Sequence, residues 1–304
     1  MDVSEACNLA CIHCAHPTFK KSEHYAGRFL PVELNQKLVD EVRESGNGAC
    51  GFIRYSGSGE PLMNPKGYEI VEYGVKNSGV YVTLTTNGTI MNEAGTRRLL
   101  EAGVNLIDIS IDAHDPQTYA VVRQQGNLDI TRSNVLRLIK WARETRSRTR
   151  VVVTFIEQPE NAHEAVAFER YWKDQGADSV VIRRLHSNAG AVVRIAEVLR
   201  KTEAASNRRP CVYPWERVVL DARGTISFCP GDWVHGSTVA DYRTTTIKEI
   251  WQGRFYESLR NAHLTNDYRS HAFCGQCPDW QQTRWPTEGR GFADLIADFN
   301  QESG

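Results

Sequence analysis

The chain has no apolar run near the roughly 20 residues needed to cross a membrane as a helix, and its first residues carry no apolar signal stretch. It also lacks a charge bias: 36 Lys and Arg stand against 37 Asp and Glu, a formal net charge of -1. That balance removes any general electrostatic case for nucleic acid or an anionic membrane as partner. No internal repeat and no low-complexity tract interrupts the 304 residues. With 41% hydrophobic and 24% charged residues, these absences leave a globular, cytoplasmic protein as the expectation. The length allows one large domain, or about 200 residues with a smaller appendage.

Cysteine is what the chain does have. Seven of its 8 cysteines fall in groups, Cys7, Cys11 and Cys14, then Cys211, Cys229, Cys274 and Cys277, and Cys50 stands apart. In an unsecreted chain, short paired spacings favour metal ligation over disulfides. CNLACIHC (7–14) offers three thiolates, one too few for a closed tetrahedral site. The later set offers four, enough for a closed iron–sulfur cube or for a structural zinc ribbon, and spacing alone leaves both open.

Between about residues 30 and 186, β-branched runs alternate with amphipathic segments. The runs 49–57, 79–88, 105–112, 150–157 and 178–186 read as strands, and VSEA (3–6) as a first one. Helices are expected after Pro31 and over 67–78, 92–102, 128–145 and 161–174. Repeated βα units imply a parallel sheet with right-handed crossovers. Six are too few for a closed eight-stranded barrel. The expected fold is therefore α/β: a partial (β/α)6 TIM-like barrel over 1–200, then a small α+β domain with a β-hairpin over 201–285. A helical tail over 286–304 closes the chain. Residues 187–210 read as a helix and polar linker, 216–229 as a hairpin turning at Ala222-Arg223-Gly224, and 244–263 as an N-capped helical region. CNLACIHC, GSGEP, TTNG and SIDAH all fall at C-terminal strand ends, where such folds keep working residues.

A Cys-x3-Cys-x2-Cys loop can hold three irons of a [4Fe–4S] cube and leave the fourth for an exogenous ligand. Placed after a first strand, CNLACIHC resembles the signature of the radical S-adenosylmethionine (SAM) enzymes. The resemblance implies that Cys7, Cys11 and Cys14 hold the cluster, that SAM chelates the open iron, and that reductive cleavage gives a 5′-deoxyadenosyl radical that abstracts a substrate hydrogen. Gly59-Glu60-Pro61, in YSGSGEPLMNP, resembles the family segment that takes up the SAM ammonium, with Gly57 and Gly59 as flexible glycines. By the same likeness Asn87, Ser110 and Arg123 are SAM contacts and His13 sits beside adenine. A zinc site or isolated thiol cluster, an ordinary βα turn at GEP and a simple Asn-Gly turn are the plainer alternatives. The family usually shows a fuller first strand than Met1 to Ala6 allows.

CVYPWERVVLDARGTISFCPGDW, followed by FCGQC, resembles the SPASM/twitch auxiliary-cluster extension of the family. It departs toward the shorter twitch form, because no cysteine follows Cys277. The four-cysteine spacing is similar to that of an aminocyclitol dehydrogenase of aminoglycoside biosynthesis. The resemblance implies two [4Fe–4S] clusters, SAM, and an electron donor such as flavodoxin or ferredoxin. Oxidation or epimerisation of a small sugar or aminocyclitol is the expected reaction, since there is no room for a leader-peptide-binding domain ahead of the cluster motif. Peptide modification is the alternative, and a non-catalytic Fe–S or zinc scaffold the alternative of a different class. Substrate-facing candidates are Glu157, Arg183, Arg184 and His186; alternation along a strand forbids Arg183 and Arg184 from facing inward together. Cys50 is expected to begin a core strand as a buried thiol, with hydrogen-atom donation as its sharper role.

Overall fold

In the first part of the chain the alternation of β-branched runs and amphipathic segments does build parallel βα units. The computed structural model describes residues 1–46, 48–202, 208–283, 285 and 292–301. They divide into two compact units: Met1–Ile12 with Tyr25–Arg184, and His13–His24 with Leu185–Gly304. The division passes through the cysteine loop, so Cys7 and Cys11 belong to the first unit and Cys14 to the second, with the short helix α1 (His16–Phe19).

The first unit runs α2 (Val32–Ser45), β1 (Phe52–Tyr55), α3 (Gly67–Asn77), β2 (Tyr81–Thr86), α4 (Glu93–Ala102), β3 (Leu106–Ser110), α5 (Pro116–Val122), α6 (Leu128–Glu144), β4 (Arg150–Ile156), α7 (Ala165–Gln175) and β5 (Ser179–Arg183). The five strands form one parallel sheet in sequence order. Ile53, Val82, Leu84, Ile107, Ile109, Val151, Val153 and Phe155 lie on its apolar face, each at most 4% exposed. This is the partial barrel, with one correction at its first strand. Residues 3–6 form no regular strand: Asp2 makes a single parallel bridge to Ser56, with Val3 N–H donating to Ser56 O at 3.0 Å. The backbone turns instead to residues 28–30, with Ser4 bridging Phe29 antiparallel, Glu5 N–H donating to Arg28 O at 2.9 Å and Leu30 N–H to Val3 O at 3.0 Å, while the Ser4 hydroxyl takes up the backbone of Ala6. Helix α5 went unread although its signals are strong: Asp115 caps it by accepting from Gln117 and Thr118 N–H, and Pro116 holds its first position. Cys50 precedes β1 by two residues and is half-buried, its thiol directed to Phe52 O at 3.5 Å, so it does not begin the core strand.

The second unit continues with α8 (Val193–Thr202), α9 (Tyr213–Glu216), β6 (Val219–Leu220), β7 (Thr225–Ser227), β8 (Thr238–Asp241), α10 (Ile247–Trp251), α11 (Arg254–Thr265), α12 (Ala272–Gln276) and α13 (Phe292–Gln301). Its antiparallel sheet has the order β6-β7-β8. The β6–β7 turn closes on Asp221, which accepts from Arg223 and Thr225 N–H, with Gly224 at φ 84°. The expected helical region 244–263 is two helices, the first started by a capping box between Thr246 and Glu249 and the second begun after Gly253. Parts of the expected linker (203–207) and tail (286–291 and 302–304) fall outside the described residues. No helix among the described residues is long and apolar enough to cross a membrane.

Candidate active site

The N-terminal cysteine loop is held by its backbone. Ala10 N–H donates to Gln124 O at 2.9 Å and Ile12 N–H to Val122 O at 3.1 Å, so the loop lies along the end of α5. Between those two carbonyls sits Arg123, buried, with Nε at 2.7 Å and Nη2 at 2.5 Å from Asp112 Oδ2. Asp112 follows β3 with φ 61°, and its Oδ1 accepts Ile156 N–H at 2.7 Å, tying the ends of β3 and β4. Burial disfavours the charge on Arg123, but Asp112 outweighs it and holds the guanidinium above its ordinary value. Burial pushes the Cys7 thiol up to about 11, and raises Cys11 against the opposing charge of Arg123. In the second unit, the Cys14 sulfur accepts His16 N–H at 3.4 Å, and buried His13 presents its carbonyl to Asn188 Nδ2 at 3.2 Å.

The GSGEP loop runs against the residues just before Cys7. Glu60 N–H donates to Ala6 O at 2.8 Å, and a Cβ on Gly59 would fall 2.1 Å from that same oxygen. Gly57, at φ 146°, leaves no room beside Asp2 Oδ1. These glycines therefore serve close approach rather than flexibility. Glu60 is 3% exposed, and its carboxylate accepts the Thr86 hydroxyl at 2.6 Å, Leu62 N–H at 3.1 Å and Asn87 N–H at 2.7 Å. Burial raises its pKa against those hydrogen bonds. Pro61 opens a single 3-10 turn, Pro61–Met63, capped by Glu60. Asn87 in turn donates to Asn8 Oδ1 at 2.9 Å, while Asn8 Nδ2 reaches Thr89 Oγ1 at 2.7 Å. Asn8 thus ties the cysteine loop to the end of β2. Ser110, half-buried at the end of β3, stands in register with Thr154 of β4.

Inside the sheet lies a polar band that sequence reading found only at Arg183. Each strand contributes one residue: Arg54, Thr85, Asp108, Thr154 and Arg183. Asp108 is 1% exposed; its Oδ2 meets Arg183 Nη2 at 2.8 Å and Arg54 Nη2 at 3.4 Å, and its Oδ1 accepts the Thr154 hydroxyl. Arg54 Nε donates to Thr85 Oγ1 at 3.0 Å. The available signal was a polar residue between apolar neighbours in FIRY and LIDIS. Arg184 and Glu157 are exposed, Glu157 N–H donating to Arg183 O at 2.9 Å, and half-buried His186 belongs to the second unit.

In the second unit Cys274 is buried and Cys211, Cys229 and Cys277 are half-buried. Burial raises all four thiols, Cys274 and Cys277 to about 12. Next in weight for Cys229 is the charge of Cys277, with Cys211 and Cys274 adding to it, so the four share one neighbourhood. Among the described residues no three His, Cys, Asp or Glu side chains converge at the spacing of a single metal ion. The set is supported by second-layer groups: Cys211 N–H donates to His263 Nδ1 at 3.2 Å, and Arg208 donates to the carbonyls of Cys274 and Gly275 at 2.6 and 3.0 Å. Just beyond Cys277, Asp279 accepts Ser187 N–H, the Ser187 hydroxyl and Ala189 N–H at 2.6–2.8 Å.

The radical SAM superfamily matches residues 1–169, more than half the chain, and the SPASM iron–sulfur cluster-binding domain matches 211–278. A probable GTP 3′,8-cyclase of Methanococcus maripaludis is 30% identical over 141 residues, 46% of this chain and 44% of that protein. An AdoMet-dependent heme synthase of Methanosarcina barkeri is 33% identical over 118 residues, 39% of this chain and 32% of that one. The matched part spans half or less of these relatives. Among solved structures, BtrN in complex with AdoMet and 2-DOIA superposes with TM-score 0.59 at 16% identity, covering 91% of this chain and 90% of that one. Streptococcus suis SuiB bound to precursor peptide SuiA gives 0.65 at 12%, covering 97% and 72%. At such identities the likeness is one of fold. The chain belongs to the radical SAM superfamily, with its [4Fe–4S] cluster and S-adenosylmethionine, and carries a C-terminal SPASM iron–sulfur cluster-binding domain.

Proposed function

We propose that Cys7, Cys11 and Cys14 hold the SAM-binding cluster and that Cys211, Cys229, Cys274 and Cys277 hold one auxiliary [4Fe–4S] cluster. When bound, the first cluster and SAM supply a 5′-deoxyadenosyl radical that takes a hydrogen atom from substrate. The observation that carries the two-cluster reading is the gathering of four thiols in the second unit, all raised by burial and with the charges of Cys277, Cys211 and Cys274 also acting on Cys229, a complete donor set besides the N-terminal three. Arg123 acts as counter-charge beside Cys11, braced by Asp112. Asn8 and Asn87 fix the loop against the end of β2. Glu60 has about four acceptor sites, of which Thr86, Leu62 and Asn87 fill three, and the SAM ammonium is assigned to its Oε2 side. Pro61 and the Gly59 carbonyl border that site, Ser110 its ribose and carboxylate side, and His13 its adenine.

The reaction we assign is oxidation of a secondary alcohol in a small sugar- or aminocyclitol-type substrate: a hydrogen atom leaves from carbon, a proton from the hydroxyl, and one electron passes to the auxiliary cluster. An external flavodoxin or ferredoxin delivers the electron that starts the reaction. Near-complete mutual coverage with BtrN, whose structure holds 2-DOIA, supports the small-substrate reading. Likeness to SuiB bound to its precursor peptide supports peptide modification as the second reading. Anaerobic reconstitution tests both levels. About eight irons per chain are expected, falling to about four in Cys229→Ala. Cys11→Ala is expected to abolish 5′-deoxyadenosine; its persistence would remove the radical assignment. Deuterium transfer into 5′-deoxyadenosine from labelled aminocyclitols, and not from labelled peptides, would support the first substrate class.

A further inference from the structure

We propose that Arg208 is the charge that stabilises the reduced form of the auxiliary cluster, making the four-cysteine site of the second unit a better acceptor for the electron released by substrate. Its guanidinium is anchored on the turn that carries Cys274 and Cys277: Nη2 donates to Cys274 O at 2.6 Å and Nη1 to Gly275 O at 3.0 Å. The same group lies 4.1 Å from the centre of the Tyr268 ring. The Tyr268 hydroxyl meets His263 Nδ1 at 3.1 Å, the atom that accepts Cys211 N–H. Arg208 thus holds the backbone of one cysteine directly and reaches that of a second through two side chains.

No carboxylate offsets this charge: among the described residues Arg208 makes no ion pair, and its partners are carbonyls and a ring face. Arg217, the other arginine whose charge reaches Cys211, is paired with Glu216 at 2.6 Å. Burial raises the thiols of Cys211, Cys274 and Cys277, and the charge of Arg208 opposes it at all three. A cation that favours thiolate also favours an added electron on a thiolate-bound cluster, because net charge and hydrogen bonds to sulfur set iron–sulfur potentials. A second observation points the same way. Arg208 Nε–H is buried with no acceptor among the described residues. An orphaned buried donor calls for a group not yet in place, and the sulfur of a bound cluster is an acceptor. Asp279 acts with the opposite sign, its charge raising Cys277 next after burial. In the reaction assigned above, the deprotonated substrate radical loses one electron to become the ketone, and the cluster gains it.

This inference rests on the two-cluster reading. Potentiometric titration followed by electron paramagnetic resonance, on the anaerobically reconstituted full chain, tests it, with Cys11→Ala identifying the auxiliary signal. In Arg208→Gln the auxiliary midpoint should fall, moving the oxidised-to-reduced ratio at a fixed potential about ten-fold toward oxidised, about 59 mV for one electron. Arg208→Lys, which keeps the charge, should stay within about three-fold of wild type. Asp279→Asn should move the midpoint upward. An unmoved midpoint in Arg208→Gln would overturn the proposal, as would an equal fall in Arg208→Lys or in Arg97→Gln, an exposed site on α4 that controls for net charge. If Arg208→Gln holds no auxiliary iron, Arg208→Lys decides: a wild-type midpoint supports the role of the charge, and a ten-fold fall removes it. Failure of the cluster reading looks different. About four irons and a single signal in the wild type remove both claims, whereas about eight irons with an unmoved midpoint in Arg208→Gln remove this one alone.

Discussion

Arg123 and Asp112 form a buried ion pair in which two guanidinium nitrogens meet one carboxylate oxygen at 2.7 and 2.5 Å. The pair stands between the carbonyls of Val122 and Gln124 that hold the cysteine loop. Arg123→Gln removes the charged partner of a fully buried carboxylate, and we expect a loss of about 3–5 kcal/mol in a urea titration. Arg123→Lys should recover part of it, since a point charge does not reproduce the paired geometry. Without its counter-charge the Cys11 thiol should titrate higher still, seen as slower alkylation in the apoprotein.

Asn8 carries a second support of the same loop. Its amide joins Asn87 and Thr89 through bonds of 2.9 and 2.7 Å. Asn8→Ala removes both, a change of about 1–3 kcal/mol. The loss falls on the alignment of loop and strand end, so weaker SAM binding with unchanged iron content is the expected outcome. Loss of iron in step with SAM affinity would show that Asn8 supports the cluster itself.

Gly59→Ala tests close approach against flexibility. A Cβ there would stand 2.1 Å from the Ala6 carbonyl oxygen, a backbone atom with little room to move. The GSGEP loop must then shift, carrying Glu60 away from Thr86 and Asn87, at about 1–3 kcal/mol. SAM affinity and thermal midpoint should fall together. A variant with wild-type SAM affinity would show that the loop tolerates the displacement.

How far the sequence reveals this molecule depends on the range of the interactions. The parallel sheet was legible because β-branched runs and helical periodicity are local signals, and the cysteine sets because thiol spacing is a chemical pattern. Strand 3–6 misled because its backbone pairs with residues 28–30, a partner distant in sequence, and the Ser4 hydroxyl takes up Ala6. Helix α5 was missed inside SIDAHDP although Asp115 and Pro116 announce it. The Asp108 band was invisible for another reason: its hydrogen-bonded members are separated by 29 to 75 residues along the chain, and only the pleat brings them to one face. Arg183 and Arg184 divided as alternation requires, one inward and one exposed.

His263 makes the second unit sensitive to acid. It is 3% exposed, and its Nδ1 accepts Cys211 N–H at 3.2 Å and faces the Tyr268 hydroxyl at 3.1 Å. That arrangement requires a neutral ring, and burial, aided by Arg208 and His271, lowers its pKa to about 4. In the unfolded chain it titrates near 6.5. Between those values the unfolded state binds the extra proton, so the stabilisation is complete above about pH 6.5 and is lost as pH falls toward 4. The full span is about 3 kcal/mol. His263→Gln keeps an acceptor for Cys211 N–H without titrating. Urea midpoints measured across this range should therefore fall more steeply for the wild type than for the variant. Parallel slopes would place the acid sensitivity elsewhere and leave His263 as packing beside Cys211.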